Sequence, residues 1–176
     1  VNGWTAYHTQ AERDVFTAIT NELVAAQQPL MSPRTATGTT LELGRADLLE
    51  PAQIGWGELG RNFKNRAQQL CFVQGPVAKG LYAHAPSKLR FDLGGQWTNF
   101  SGSAGVLWGS TLGSVVAIIR VDGIEKFRSS TLTATSSQPT FSVNVQGGQT
   151  LELEFTDAGD SANSDWSTWI NPVLTR

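Results

Sequence analysis

Residues 80–95 read GLYAHAPSKLRFDLGG, and the second half of this stretch decides the fold. From Lys88 to Leu93 the residues alternate. Leu89, Phe91 and Leu93 fall on one side, and Lys88, Arg90 and Asp92 on the other. That period of two belongs to a strand with one buried face. Pro86 and Ser87 precede the strand, and Gly94–Gly95 stops it with a turn. His84 stands between two alanines just before it, at the expected mouth of the strand.

Working outward, more strands of the same kind appear. Residues 115–121 are an apolar run long enough for a fully buried strand. Asp122–Gly123 is the strongest hairpin turn in the chain, and residues 124–128 return from it. Residues 140–145 and 150–155 pair around Gly147–Gly148. In the second of them Leu151, Leu153 and Phe155 alternate with Glu152 and Glu154, so the glutamates are expected to face water. Shorter strands are expected within 40–49, 70–73, 77–81 and 99–104, with Phe100 pointing inward, and a last one at about 169–175. Eight or so short, mostly antiparallel strands separated by turns describe a mainly β chain folded as an antiparallel β-sandwich.

The N-terminal part reads differently. Thr9-x-x-Glu12 is a capping box, Asp14 adds negative charge to the first turn, and Val15, Phe16, Ile19, Leu23 and Ala26 recur at helical spacing until Pro29. This predicts one N-terminal α-helix over about 10–27, its apolar face covering the sandwich or a neighbouring domain. Residues 31–40, with Ser32, Pro33 and Gly38, read as a linker. The expected organisation is helix and linker over 1–39 and a β-sandwich domain over 40–176.

At 176 residues the chain suffices for one domain with a real core, and its 18 glycines fit many turns. A net charge of −2 points to neither nucleic acid nor an anionic membrane as partner. No stretch approaches the roughly 18 apolar residues of a membrane helix, and no signal peptide is visible. Cys71 is the sole cysteine and sits in an apolar run, so it reads as an inert buried thiol rather than half of an intrachain disulfide.

Three places carry chemistry. Trp56 is flanked by Gly55 and Gly57 and followed by Glu58. It reads either as an accessible stacking platform or as a core tryptophan. His84 reads either as a ligand-facing group at a strand end or as a core histidine satisfied by a backbone carbonyl. Residues 157–169, DAGDSANSDWSTW, gather three aspartates, an asparagine and two tryptophans. Crowded carboxylates repel unless a cation or a donor-rich ligand sits among them. One reading is a structural calcium site with Asp157, Asp160 and carbonyls as ligands, although the spacing is not that of an EF-hand. The other is a turn whose aspartates cap backbone amides. Catalysis finds no support. No Gly-x-Ser-x-Gly elbow occurs, His8 and His84 lack metal-binding spacing, and Asp157 and Asp165 share one loop where a glycosidase needs opposed carboxyl groups.

The run GLYAHAPSKLRFDLGG, followed by WTNFSGSAGV at 97–106, resembles the NPCBM family, also classed as family 51 of the carbohydrate-binding modules. That family's pattern here is roughly Gly-Leu-Gly-x-His-Ala-x-Ser, an alternating strand, Asp-Leu-Gly-Gly, then an aromatic residue and Phe. Gly55–Trp56–Gly57, the segment 113–123, and residues 156–160 and 165–174 agree in order, so the resemblance spans about 40–176. The family's last motif is roughly Asp-His-Ala-Asp-Trp-Ala-Asp. In this chain Asp165 and Trp169 match it, while Trp166, Thr168 and Asn171 replace a histidine and two aspartates. Leu107–Trp108 stands where the family often has two acids. The resemblance implies a jelly roll of the galactose-binding type and a non-catalytic module for a terminal galactose-type sugar or related glycan. It also implies tethering to other domains of a larger extracellular or periplasmic protein. The carbohydrate-binding residues would be Trp56, Glu58, His84, Asp165, Trp166 and Trp169. The alternative function is an interaction or structural sandwich that has lost sugar binding.

Overall fold

The computed structural model describes residues 10, 14, 17, 20, 21, 28–62, 71, 72, 76, 77 and 79–176. The strands are β1 (Thr40–Glu42), β2 (Gln53–Ile54), β3 (Gly60–Arg61), β4 (Cys71–Phe72), β5 (Pro76–Val77), β6 (Gly80–His84), β7 (Ser87–Asp92) and β8 (Asn99–Val106). They continue with β9 (Ser114–Val121), β10 (Ile124–Arg128), β11 (Leu132–Thr133), β12 (Thr140–Asn144), β13 (Thr150–Thr156) and β14 (Trp166–Thr175). One sheet runs β12-β8-β14-β6-β3, with β1 also on β14. The other runs β10-β9-β13-β7-β2, with β11 also on β9. Among the described residues every strand pair in the two sheets is antiparallel. The sandwich is therefore as the alternation requires.

The opening stretch behaves as its pattern dictates. β7 lies between β13 and β2, and Leu89, Phe91 and Leu93 are buried while Lys88, Arg90 and Asp92 are half-buried on the outer face. Its inward residues join Leu151, Leu153 and Phe155 of β13 and Val115, Ala117 and Ile119 of β9 in one core. The facing sheet adds Leu81, Phe100, Ala104 and Trp169. The β9–β10 turn has φ of 49° at Asp122 and 79° at Gly123, the two positive values a two-residue hairpin needs to match strand twist. Asp122 also accepts from the backbone N–H of Thr150 at 2.8 Å, tying this turn to β13.

Three expectations are corrected. The segments 140–145 and 150–155 do not pair: β12 pairs with β8 in one sheet and β13 with β7 and β9 in the other. Glu152 does not face water. It is 7% exposed, and its carboxylate accepts from Arg90 Nε at 2.7 Å and Arg120 Nη1 at 2.8 Å. Lys88, Arg90 and Arg120 come from the flanking strands β7 and β9, so the cross-strand cations close over the central glutamate. The last strand begins at Trp166, three residues earlier than expected.

Residues 31–37, read as a linker, are pinned to the sandwich. Met31 bridges Ala46, Trp97 Nε1 donates to Pro33 O at 3.0 Å, and Arg34 pairs with Asp92 at 2.8 Å. The helix expected over 10–27 lies largely outside the described residues, and no long helix stands among the described elements. Gln10, Asp14, Thr17, Thr20 and Asn21 have helical backbone and are exposed. The environment expected for the Cys71 thiol also lies outside the described residues.

Candidate functional site

β14 forms the centre of one sheet, with β6 on one side and β8 on the other. Its first residue, Trp166, pairs with His84, the last residue of β6. Since side chains alternate along a strand, Trp166 and Thr168 point to one face and Ser167 and Trp169 to the other. The same parity puts Tyr82 beside His84. Tyr82, His84 and Trp166 thus stand together on the sheet's outer face, at one end of the sandwich. Leu107 and Ile170 pack with Tyr82 and Trp166 there.

Trp56 reaches this cluster from the loop after β2. Gly55 N–H donates to His84 O at 3.2 Å, and a Cβ on Gly55 would lie 2.6 Å from Ala85 O. Only glycine lets the loop lie this close to the end of β6. Gly57 then turns the chain away with φ of 84°. The three ring centroids form a triangle. Trp56–Trp166 is 5.3 Å, His84–Trp166 is 5.5 Å and Trp56–His84 is 6.1 Å, with interplanar angles of 62°, 76° and 63°. Each pair packs edge to face. Trp56 remains 51% exposed.

His84 forms the floor of this triad and is 6% exposed. Its Nδ1 lies 2.7 Å from Ala85 O. A carbonyl only accepts, so Nδ1 carries a proton towards Ala85 O, and in the tautomer that this selects Nε2 is the acceptor.

Asp165 lies directly behind the triad and is fully buried. Its Oδ1 accepts from Ser114 N–H at 2.9 Å, and its carbonyl accepts from Ala85 N–H at 2.9 Å. Oδ2 has no hydrogen-bond partner. Burial pushes its carboxyl above the usual carboxylate range, against the pull of the Ser114 N–H. Asp165 thus fastens β9 and the end of β6 to the start of β14, and presents no surface to a ligand. Trp169 is the other correction to the expected binding set. It is 0% exposed and stacks on Phe155 at 4.5 Å between the sheets. It is a core residue because it lies three positions from Trp166, on the opposite face of the strand. Glu58 is exposed two residues beyond Trp56.

Asp157 and Asp160 both accept hydrogen bonds within their own turn. Asp157 Oδ1 accepts from Gly159 N–H at 3.0 Å. Asp160 accepts from Ser161 N–H at 2.7 Å and from Ser114 Oγ at 2.8 Å. Among the described residues no three acids, histidines or cysteines gather at one place. The aspartates shape the turn, which is the other of the two sequence readings, and these bonds hold the Asp160 carboxyl below its usual range.

Tyr82 is the site residue that the sequence reading missed. Its ring packs on Trp166 at 5.8 Å. The signal was available, since residues 82 and 84 of one strand share a face.

Comparison with known proteins agrees with this architecture. The NPCBM/NEW2 domain model matches residues 41–175. A Renibacterium salmoninarum protein described as "Putative endo-alpha-N-acetylgalactosaminidase" is 28% identical over 126 residues, which is 66% of this chain. This chain spans only 8% of that relative's length. The CBM51 of Clostridium perfringens GH95, solved in complex with methyl-galactose, superposes with a TM-score of 0.71 at 24% identity, over 78% of this chain and 100% of that one. A Clostridium perfringens ZmpB structure, which holds an M60 catalytic domain with two CBM51 domains, gives a TM-score of 0.71 at 25% identity, over 77% of this chain and 15% of that one. With the family model matched over nearly the whole sandwich, this chain belongs to the NPCBM/NEW2 domain family.

Proposed function

We propose that this chain is a non-catalytic carbohydrate-binding module that recognises a terminal galactose-type sugar with the Trp56–His84–Trp166 triad. The observation that carries the reading is the exposed tryptophan packed at a steep angle against a buried histidine at the rim of the sandwich. A pyranose has one face richer in C–H groups, which lies against an indole, and hydroxyls that need directed partners. Trp56 supplies the platform, Trp166 the side wall, and His84 Nε2 an acceptor for one hydroxyl. Glu58 completes the polar side from the same loop as Trp56. Asp165 acts through its neighbours, as a positioning residue. The methyl-galactose complex of the Clostridium perfringens relative supports the choice of sugar, and the multidomain relatives support a module tethered to a larger protein, which this reading sets outside the cell or in the periplasm.

A monosaccharide has about a dozen heavy atoms. At roughly −0.3 to −0.5 kcal/mol each, its affinity falls in the millimolar to sub-millimolar range. Titration calorimetry with methyl-galactoside, methyl-glucoside and methyl-fucoside tests the reading. Preference for the galactoside is expected, and absence of heat with all three at tens of millimolar leaves an interaction domain that has lost sugar binding.

A further inference from the structure

We infer that Trp108 and Leu112 form a second subsite, so that the ligand is at least a disaccharide whose second ring lies on the loop between β8 and β9. The inference rests on the carbohydrate reading above. Trp108 is 77% exposed and Leu112 78% exposed, the two most exposed large apolar side chains of the described residues.

The loop that holds them is ordered by its own bonds. Ser110 N–H donates to Leu107 O at 3.1 Å, and Gly113 N–H to Ser110 O at 3.0 Å. Ser110 and Gly113 are buried, and a Cβ on Gly113 would lie 2.2 Å from Ser164 O. With Leu107, Ser110 and Gly113 buried, the loop is anchored and leaves Trp108 and Leu112 turned out. A ligand ring laid on the indole and the isobutyl group would take that apolar surface out of water.

The place of the loop identifies the occupant. Leu107 N–H donates to Trp166 O at 2.7 Å, and Leu107 packs on the same outer-face cluster as Trp166. Trp166 therefore stands between His84 on one flank and the Leu107–Trp108 corner on the other. From β6 across β14 to β8 is two inter-strand spacings, about 10 Å. That is the reach of two linked pyranose rings, whereas one ring covers the triad alone. The second ring need only offer a C–H face, because the loop presents apolar surface.

The test compares methyl-galactoside with galactose-terminated disaccharides of 1,3, 1,4 and 1,6 linkage on the wild type, Trp108→Ala, Leu112→Ala and Trp56→Ala. At least one disaccharide is expected to bind the wild type about ten-fold more tightly than the monosaccharide. Trp108→Ala should erase that gain while leaving the monosaccharide affinity within two-fold, and Leu112→Ala should erase part of it. Trp56→Ala should weaken both ligands. Equal affinity of the wild type for both ligand classes, or equal loss of both in Trp108→Ala, overturns the second subsite and leaves the first intact. No binding of any sugar by the wild type overturns both. Since both side chains are exposed, thermal denaturation of the two loop variants should match the wild type, which separates lost contact from lost fold.

Discussion

Trp166 and His84 face each other directly across the β14–β6 pairing, with ring centroids 5.5 Å apart at 76°. Their partnership is fixed by strand register, not by a flexible loop. A one-residue slip of either strand would send that strand's ring to the core face. The preorganisation this gives matters for a ligand as small as one sugar, where ordering costs consume much of the available binding energy.

The tryptophans separate by what substitution does to them. Trp56→Ala should cost roughly 1–2 kcal/mol of sugar binding with little change in stability, because half the ring is exposed. Trp169→Ala should lose about 3–5 kcal/mol of stability, because it empties the space beside Phe155 and Phe141. Urea denaturation beside calorimetry distinguishes the two, and similar destabilisation by both would contradict the assignment of Trp56 to the surface.

Asp165 should tolerate loss of charge but not loss of its oxygen. Asp165→Asn keeps an acceptor for Ser114 N–H and removes a buried carboxylate with one unpartnered oxygen, so stability at pH 7 should hold or rise. Asp165→Ala leaves the Ser114 N–H buried and unpaired and should cost about 1–3 kcal/mol. Thermal denaturation of both variants checks this, with equal losses counting against it.

The fold was legible where one face of a strand is buried and the other is not. Leu89, Phe91 and Leu93 marked both the strand and its core side, and Asp122–Gly123 marked the hairpin, because only certain residues take two successive positive φ values. Glu152 was misread because alternation assigns a side chain to the outer face, not to water. Whether that face is wet depends on the neighbouring strands, and Arg90 and Arg120 are 62 and 32 residues away in sequence. Within the site, the resemblance located Trp56, His84 and Trp166. Strand parity alone would have removed Trp169 and added Tyr82. The burial of Asp165 was not legible, since it depends on β9 arriving with the Ser114 N–H.

Glu152 makes stability fall in acid. Burial works to raise its carboxyl, but the Arg90 and Arg120 hydrogen bonds outweigh that, and it stays below its ordinary value of 4.5. A depressed folded-state carboxyl contributes stability that is present above the unfolded value and lost as pH falls through the folded one. Glu152→Gln should therefore be less stable than the wild type at pH 7, with the gap narrowing below about pH 4.5 as the wild-type carboxylate takes up its proton. Urea midpoints at pH 7 and pH 3 measure the gap, and a gap constant across that range would contradict the ion-pair role.

His84 should govern selectivity more than affinity. His84→Phe keeps an aromatic ring beneath Trp56 and Trp166 but removes the Nε2 acceptor. The ratio of galactoside to glucoside affinity should fall towards one, with a smaller change in the mean of the two. Competition titrations with the two methyl glycosides check this, and an unchanged ratio would remove His84 from hydroxyl recognition.

The most direct measurement is an indole N–H NMR titration of the intact chain with methyl-galactoside, with tryptophan signals assigned by single substitution. Binding at the triad predicts that the Trp56 and Trp166 signals shift together along one millimolar to sub-millimolar isotherm, while the buried Trp97 and Trp169 stay in place. Saturable shifts confined to other tryptophans, or no shift at tens of millimolar sugar, would contradict it.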